Sequence, residues 1–225
     1  MEKEFLAEAA FLAKVQERIA PIYLEGTDFE VWAHRITAVY EDAVRELREA
    51  GADQETLRRS LWEEIDYVNG HVAEYKDLTG TAVKAVQEYV ALTEALYGRE
   101  SLDAVKAWDL RAETFFLAER YTNALRHYEA LIANLEARPD FAPHILAAAR
   151  DTAGVCLMVL DRNDEAIDLL LKALAFFAQD PDTNRSLLRR LCGTIAEVYH
   201  RLGDDDKMME YYDLGRKYEG VPRDY

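Results

Sequence analysis

The sequence predicts an all-α protein built from stacked antiparallel helix pairs. Three observations predict it. Helix breakers are scarce, with 10 Gly and 5 Pro in 225 residues, while Ala, Leu and Glu abound. Apolar residues recur at spacings of three and four, the signature of a helix with one buried face. A set of small and aromatic residues also repeats every 42 residues along the second half of the chain.

The elements follow in chain order. From Phe5 to Tyr23 the residues Phe5, Leu6, Ala9, Leu12, Ala13, Val15 and Ile19 form a broad apolar stripe, and Pro21 is expected to end or bend that helix near Ala20. Gly26-Thr27-Asp28 reads as a stop followed by an N-cap, opening a second helix that runs to about Ala50 and is stopped by Gly51. Asp53 caps a third helix through Leu61, Trp62, Ile65 and Val68.

The repeat is clearest where Ala112-x-x-Phe115, Ala124-x-x-x-Tyr128 and Leu131 line up with Gly154-x-x-Leu157, Ala166-x-x-x-Leu170 and Ala173. One more step of 42 lands on Ala196, Tyr199, Met208 and Tyr212; one step back lands on Gly70, Ala73, Ala82 and Val86. Each unit reads as two helices joined by a tight turn. In the first clear unit Ser101 caps one helix, which ends near Glu119, and its partner follows Arg120-Tyr121-Thr122 and ends near Pro139. Next, Asp140 and Pro143 open a helix to Leu160, Asp161 to Asp164 turn the chain, and a helix runs to about Phe177. Last, Asp180-Pro181 is expected to start a helix stopped by Gly203, and Asp204 to Asp206 open the final one, acidic residues suiting a helix start. Ala112, Gly154 and Ala196 are small because paired helices approach closely at those points.

This wording resembles the tetratricopeptide repeat (TPR): Trp108, Ala112, Phe115, Tyr121, Ala124, Tyr128 and Leu131 in one unit, and Ala196-Glu-Val-Tyr199 with Gly203-Asp204 and Tyr211-Tyr212 in the last. The period of 42 is longer than the family's usual one and is similar to long-helix variants in motor-adaptor light chains and bacterial peptide-sensing regulators. The resemblance implies a right-handed α-solenoid. Residues 1–52 form an N-terminal helical hairpin or cap, and 53–225 a repeat array with units at about 54–98, 101–138, 140–179 and 181–218.

Composition narrows the function. Acidic residues number 43 against 27 Lys plus Arg, a formal charge of −16, which disfavours nucleic acid as a partner. The longest apolar run, Ala153 to Leu160, is far short of the roughly 20 residues of a membrane span. The start Met1-Glu2-Lys3-Glu4 lacks a basic secretory signature, so a cytoplasmic location is expected. Cys156 and Cys192 sit among apolar neighbours and read as buried structural thiols. Glu197 with His200 is a single Glu-x-x-His pair, less than a helical metal site needs, and no phosphate loop or nucleophile elbow occurs. No catalytic residue, metal or cofactor is expected, and an enzyme on an all-α scaffold is the least favoured reading. Arg185, Arg189 and Arg190 make the one local basic cluster, read as salt pairing or partner contact.

Carried over from the family, the positions three before, one after and four after each small residue face the concave side. They are Tyr67, His71 and Glu74; Asp109, Glu113 and Phe116; Asp151, Val155 and Met158; and Gly193, Glu197 and His200. The resemblance thus implies a groove acidic along one line and apolar along another, suited to a basic or amphipathic peptide or helix. The groove lacks the Lys and Asn of the family's carboxylate clamp. The expected function is a protein–protein interaction adaptor; the alternative is a small-ligand or signalling-peptide sensor of the bacterial regulator type. In the last unit Met208 replaces a small residue and Gly215 stands where Leu131 and Ala173 stand earlier, so Met208, Tyr212 and Leu214 are a candidate surface for a homodimer.

Overall fold

Side-chain caps and left-handed turns set the helix ends. Asp28 accepts a hydrogen bond from the Glu30 N–H (3.0 Å), Asp53 from Thr56 (2.8 Å), Ser101 from Ala104 (3.1 Å) and Asp204 from Lys207 (3.0 Å), each satisfying a donor the first helical turn leaves free. The computed structural model describes residues 2–24 and 28–218, with side chains from Ala9 onward. Among these it contains α1 (Glu2–Leu24), α2 (Phe29–Glu49), α3 (Gln54–Asn69), α4 (Thr79–Tyr97), α5 (Leu102–Leu117), α6 (Tyr121–Glu136), α7 (Pro143–Val159), α8 (Asn163–Phe177), α9 (Arg185–Leu202) and α10 (Asp205–Lys217). A short 3-10 turn spans Lys76–Leu78, and no strand occurs among the described residues. The expected stop at Gly26 and Thr27 and the side chains of Phe5 and Leu6 lie outside the described part.

The period of 42 is written into the backbone. Glu119, Asp161 and Gly203 follow the C-termini of α5, α7 and α9, each 42 residues from the last, and all have positive φ (57°, 59° and 77°). Each closes its helix with the same pair of bonds. Its own N–H reaches the carbonyl three residues back, and the next N–H reaches five back: Arg120 to Phe115 at 2.9 Å, Arg162 to Leu157 at 2.9 Å, Asp204 to Tyr199 at 3.0 Å.

The chain divides into two compact units, Met1–Arg120 and Tyr121–Tyr225. In the first, consecutive helices pack on one another and α1 also reaches α3. Its core gathers Phe11, Val15, Ile19 and Ile22 from α1, Ile36, Tyr40 and Val44 from α2, Leu61 and Ile65 from α3, and Val86 and Val90 from α4. In the second, α6 to α10 pack in sequence. Leu131, Leu135, Leu170, Leu188, Leu191 and Ile195 are its largest fully buried side chains, each burial stabilising the fold by about 1.5–3 kcal/mol. Gly154 marks the close approach the sequence predicts: a Cβ there would lie 2.6 Å from Leu170 Cγ and 3.4 Å from the Ala166 carbonyl on α8. Gly215 has the same explanation, since a Cβ would meet Cys192 Cβ at 3.2 Å.

Three expectations are corrected. Pro21 does not end α1 near Ala20; the helix continues to Leu24, with Ile22 buried in the core just beyond the proline. The helix expected to start at Asp180-Pro181 starts at Arg185. Asn184 instead turns back, donating from Nδ2 to the carbonyls of Asp180 (2.8 Å) and Phe177 (3.2 Å), and the Asp180 side chain accepts from the Thr183 N–H (3.3 Å). In the stretch expected at 54–98, the register of 42 holds for α4, where Ala82 and Val86 are fully buried, but not for α3. Gly70 is the C-cap of α3 rather than a mid-helix contact.

Candidate functional site

In the first unit the candidate residues fall on two elements. Tyr67 lies on α3, whereas His71 and Glu74 lie past its C-cap in the turn toward the 3-10 segment, so these two do not share a helix face with Tyr67. Asp109, Glu113 and Phe116, spaced by four and three, share one face of α5. A hydrogen bond from Asn69 Nδ2 to Thr114 Oγ1 (3.1 Å) ties α3 to α5, and Thr114 Oγ1 in turn donates to the Leu110 carbonyl (2.9 Å). That tie brings Asp66, one turn before Asn69, into the field of Glu113.

The electrostatics of these three acids are uniform in sign. Burial, and then the charge of Glu113, pushes the Asp109 carboxyl up to about 6. Burial, and then the charge of Asp66, raises Glu113 as well. No described cation pairs with Asp66, Asp109 or Glu113. The arrangement is a half-buried Asp109 with Glu113 and Asp66 at the solvent edge, in which like charges repel. Sequence reasoning missed Asp66, because the register of 42 does not extend to α3.

In the second unit the corresponding acids are already neutralised. Asp151, on α7 and buried, is paired with Arg190 of α9; burial raises its pKa and Arg190 opposes the rise. Glu197 is bridged by Arg201 one turn on, at 2.9 Å. Arg201 also donates to the Met158 carbonyl at 3.0 Å and lies 3.7 Å from Asp161, pinning the end of α9 against the α7–α8 turn. Val155 and Met158 are half-buried on α7, Gly193 is exposed, and His200 is exposed with Nδ1 3.6 Å from Asp205. The basic cluster is partly consumed in the same way, Arg190 by Asp151 and Arg185 by Asp182 at 3.2 Å.

A cavity of about 470 Å³ that the sequence did not suggest lies over Ile132, Leu157 and Leu169, rimmed by acids of α6 and α8. Its rim is largely self-compensated: Glu136 with Arg150 at 2.8 Å, Glu165 with Arg162 at 2.7 Å and Asp168 with Lys172 at 2.6 Å. On α10 only Gly215 is buried; Met208 and Leu214 are half-buried and Tyr212 is 57% exposed. Cys156 and Cys192 are both buried and free, and burial pushes their thiols up to about 12 and about 11. Among the described residues no three His, Cys, Asp or Glu side chains converge as a metal site, and no helix is long and apolar enough to cross a membrane.

Solved structures resemble this architecture over nearly its whole length. A putative kinesin light chain from Podosopora anserina, with nearly identical TPR-like repeats, superposes at a TM-score of 0.66 with 14% identity, covering 92% of this chain and 94% of that one. The fold is TPR-like. BtubC from P. vanneervenii matches at a TM-score of 0.64 with 13% identity, over 99% of this chain and 93% of that one. Aspartyl phosphate phosphatase F from Bacillus subtilis matches at 0.67 with 15% identity, over 96% of this chain, which spans only 50% of that protein. No protein-family model and no curated protein matches the sequence. At these identities the likeness is one of TPR-like fold, and it agrees with the tetratricopeptide wording read from the residues.

Proposed function

We propose that this chain is a protein-interaction adaptor that captures a basic or amphipathic peptide or helix of a partner protein on the α3–α5 face of its first unit. One observation carries the reading: Glu113 bears on Asp109 and Asp66 on Glu113 with no described cation paired to any of the three, whereas Asp151 and Glu197 already have arginines. A lysine or arginine arriving from outside relieves repulsion among these carboxylates, of which Asp109 is half-buried and Asp66 and Glu113 open to solvent where a partner can reach them. Phe116, half-buried beside them on α5, offers apolar contact for the other face of an amphipathic segment. Among proteins of similar fold, a Rap protein has been solved in complex with Competence and Sporulation Factor; it matches over 83% of this chain with 18% identity and a TM-score of 0.60.

The test is selection from a display library of random 12-residue peptides. The wild-type chain should enrich sequences rich in Lys and Arg, and Glu113→Lys should lose that enrichment while circular dichroism shows unchanged helicity. Enrichment without basic bias, or a bias that Glu113→Lys leaves intact, would overturn the reading.

A further inference from the structure

Where the end of α1, the start of α2, α3 and the turn after α3 meet, the first unit holds a cavity of about 410 Å³. Its walls are aromatic: Tyr23, Phe29, Trp32, Tyr67, His71 and Tyr75. Tyr23 and Phe29 each stand edge-on to Trp32, with ring centroids 5.3 and 5.2 Å apart. Opposite them Tyr67 lies over His71 at 4.5 Å and is backed by Tyr40 at 5.3 Å, which fixes the ring against the core. Core packing does not account for the outer rings, since Phe29 is 73% and Tyr23 52% exposed.

The charged side chain in this cavity's described lining is a carboxylate. Glu74 lines it, and among the described residues no Lys or Arg does. Burial, and then the charge of Glu74, raises the Tyr75 hydroxyl's pKa, with Asp28 and Glu30 adding to the rise. The nearby His34 is fully engaged, Nδ1 with the Glu30 carbonyl at 2.7 Å and Nε2 with Asp77 at 2.5 Å. His71 donates from Nδ1 to the Tyr67 carbonyl at 2.8 Å, so in its neutral form Nε2 is left as an acceptor. Aromatic faces, a carboxylate and a ring-nitrogen acceptor, with no Lys or Arg in the described lining, form the complement of a weakly hydrated organic cation. A planar guanidinium both stacks on such faces and donates several hydrogen bonds at once, and the volume lies within the range of pockets that enclose a ligand group.

We infer that this aromatic pocket receives the guanidinium of an arginine carried by a peptide. The peptide as source of the cation rests on the proposed function; the preference for a cation rests on the pocket alone. The experiment is a titration followed by the indole N–H resonances of 15N-labelled full chain, the Trp32 signal being assigned by its loss in Trp32→Phe. The probes are N-acetyl-arginine methylamide, its neutral citrulline analogue, and choline. The arginine probe should shift the Trp32 resonance saturably and the citrulline probe should not. Phe29→Ala and Glu74→Gln, both at exposed positions, should each weaken arginine binding about threefold to fivefold, the size of one exposed cation–π or charge contact, with the helical spectrum unchanged. No shift, an equal shift with citrulline, or saturation by choline at lower concentration than by arginine would overturn the assignment. Glu113→Lys separates the two readings: it should abolish basic-peptide enrichment yet leave the arginine titration unaltered. Enrichment retained with no titration retires the pocket alone, and titration retained with no basic enrichment retires the α3–α5 face alone.

Discussion

An L-residue with a side chain is strained in the left-handed region by roughly 1–2 kcal/mol, and among the described residues one stands there twice, at Glu119 and Asp161, where the third equivalent is Gly203. Converting either to glycine relieves that strain, less the extra freedom glycine has when unfolded. Glu119→Gly and Asp161→Gly should therefore each stabilise the fold by about 0.5–1 kcal/mol, read as a higher midpoint in urea. The exposed ion pairs they give up, Glu119 with Lys76 at 3.0 Å and Asp161 with Arg201 at 3.7 Å, weigh little. Gly154 predicts the opposite sign. Gly154→Ala would drive its methyl into the fully buried Leu170, at a cost of about 1–3 kcal/mol. Glu64 shows what a buried acid does to pH dependence. Burial, reinforced by Glu41 and Glu88 and opposed by Lys84 and Arg48, raises it to about 7. A carboxyl whose folded pKa is raised stabilises fully below its unfolded value, and that stabilisation fades as pH rises through about 7. Glu64→Gln should accordingly raise the melting temperature at pH 8 and make little difference at pH 4.5, in matched thermal scans.

At the scale of elements, what the sequence shows depends on how local the cause is. Asp28, Asp53, Ser101, Asp204 and Gly203 end or begin helices where they were expected, because each acts within three or four residues of itself. Pro21 misleads because Ile22, just beyond it, is buried in the core and α1 continues to Leu24, and Asp180 misleads because Asn184 folds its side-chain amide back onto the Asp180 and Phe177 carbonyls and the helix starts only at Arg185. The candidate site divides in the same way. Asp109 and Glu113 were expected from the offset carried over from the resemblance, which puts them on one helix; the neutralisation of Asp151 by Arg190, 39 residues away, and the meeting of Tyr23, Trp32 and Tyr67 were not legible. The final helix α10 buries only Gly215, leaving Met209 and Tyr212 in solvent at 50% and 57% exposure. We expect a second copy to cover that face, so sedimentation equilibrium should show a concentration-dependent dimer that Tyr212→Asp weakens; a monomer at every concentration would remove this proposal.

For the whole molecule, a charge of −16 makes attraction to basic partners general and weak, and the local arrangement has to supply selectivity. In the proposed function the α3–α5 acids supply it, and they carry a pH signature. Asp109, raised to about 6 by burial and Glu113, accepts a proton as the solution is acidified, and burial and Asp66 raise Glu113 in the same direction. Affinity for a basic peptide should fall between pH 7 and pH 5 as these charges are lost. The most direct measurement is calorimetric titration at pH 7 of one library-selected basic peptide into wild type, the double variant Asp109→Asn/Glu113→Gln, and Glu197→Gln. A loss of tenfold or more in the double variant, with less than a twofold change in Glu197→Gln, is what the account predicts. Equal affinity in all three, or a larger loss from Glu197→Gln, would contradict it.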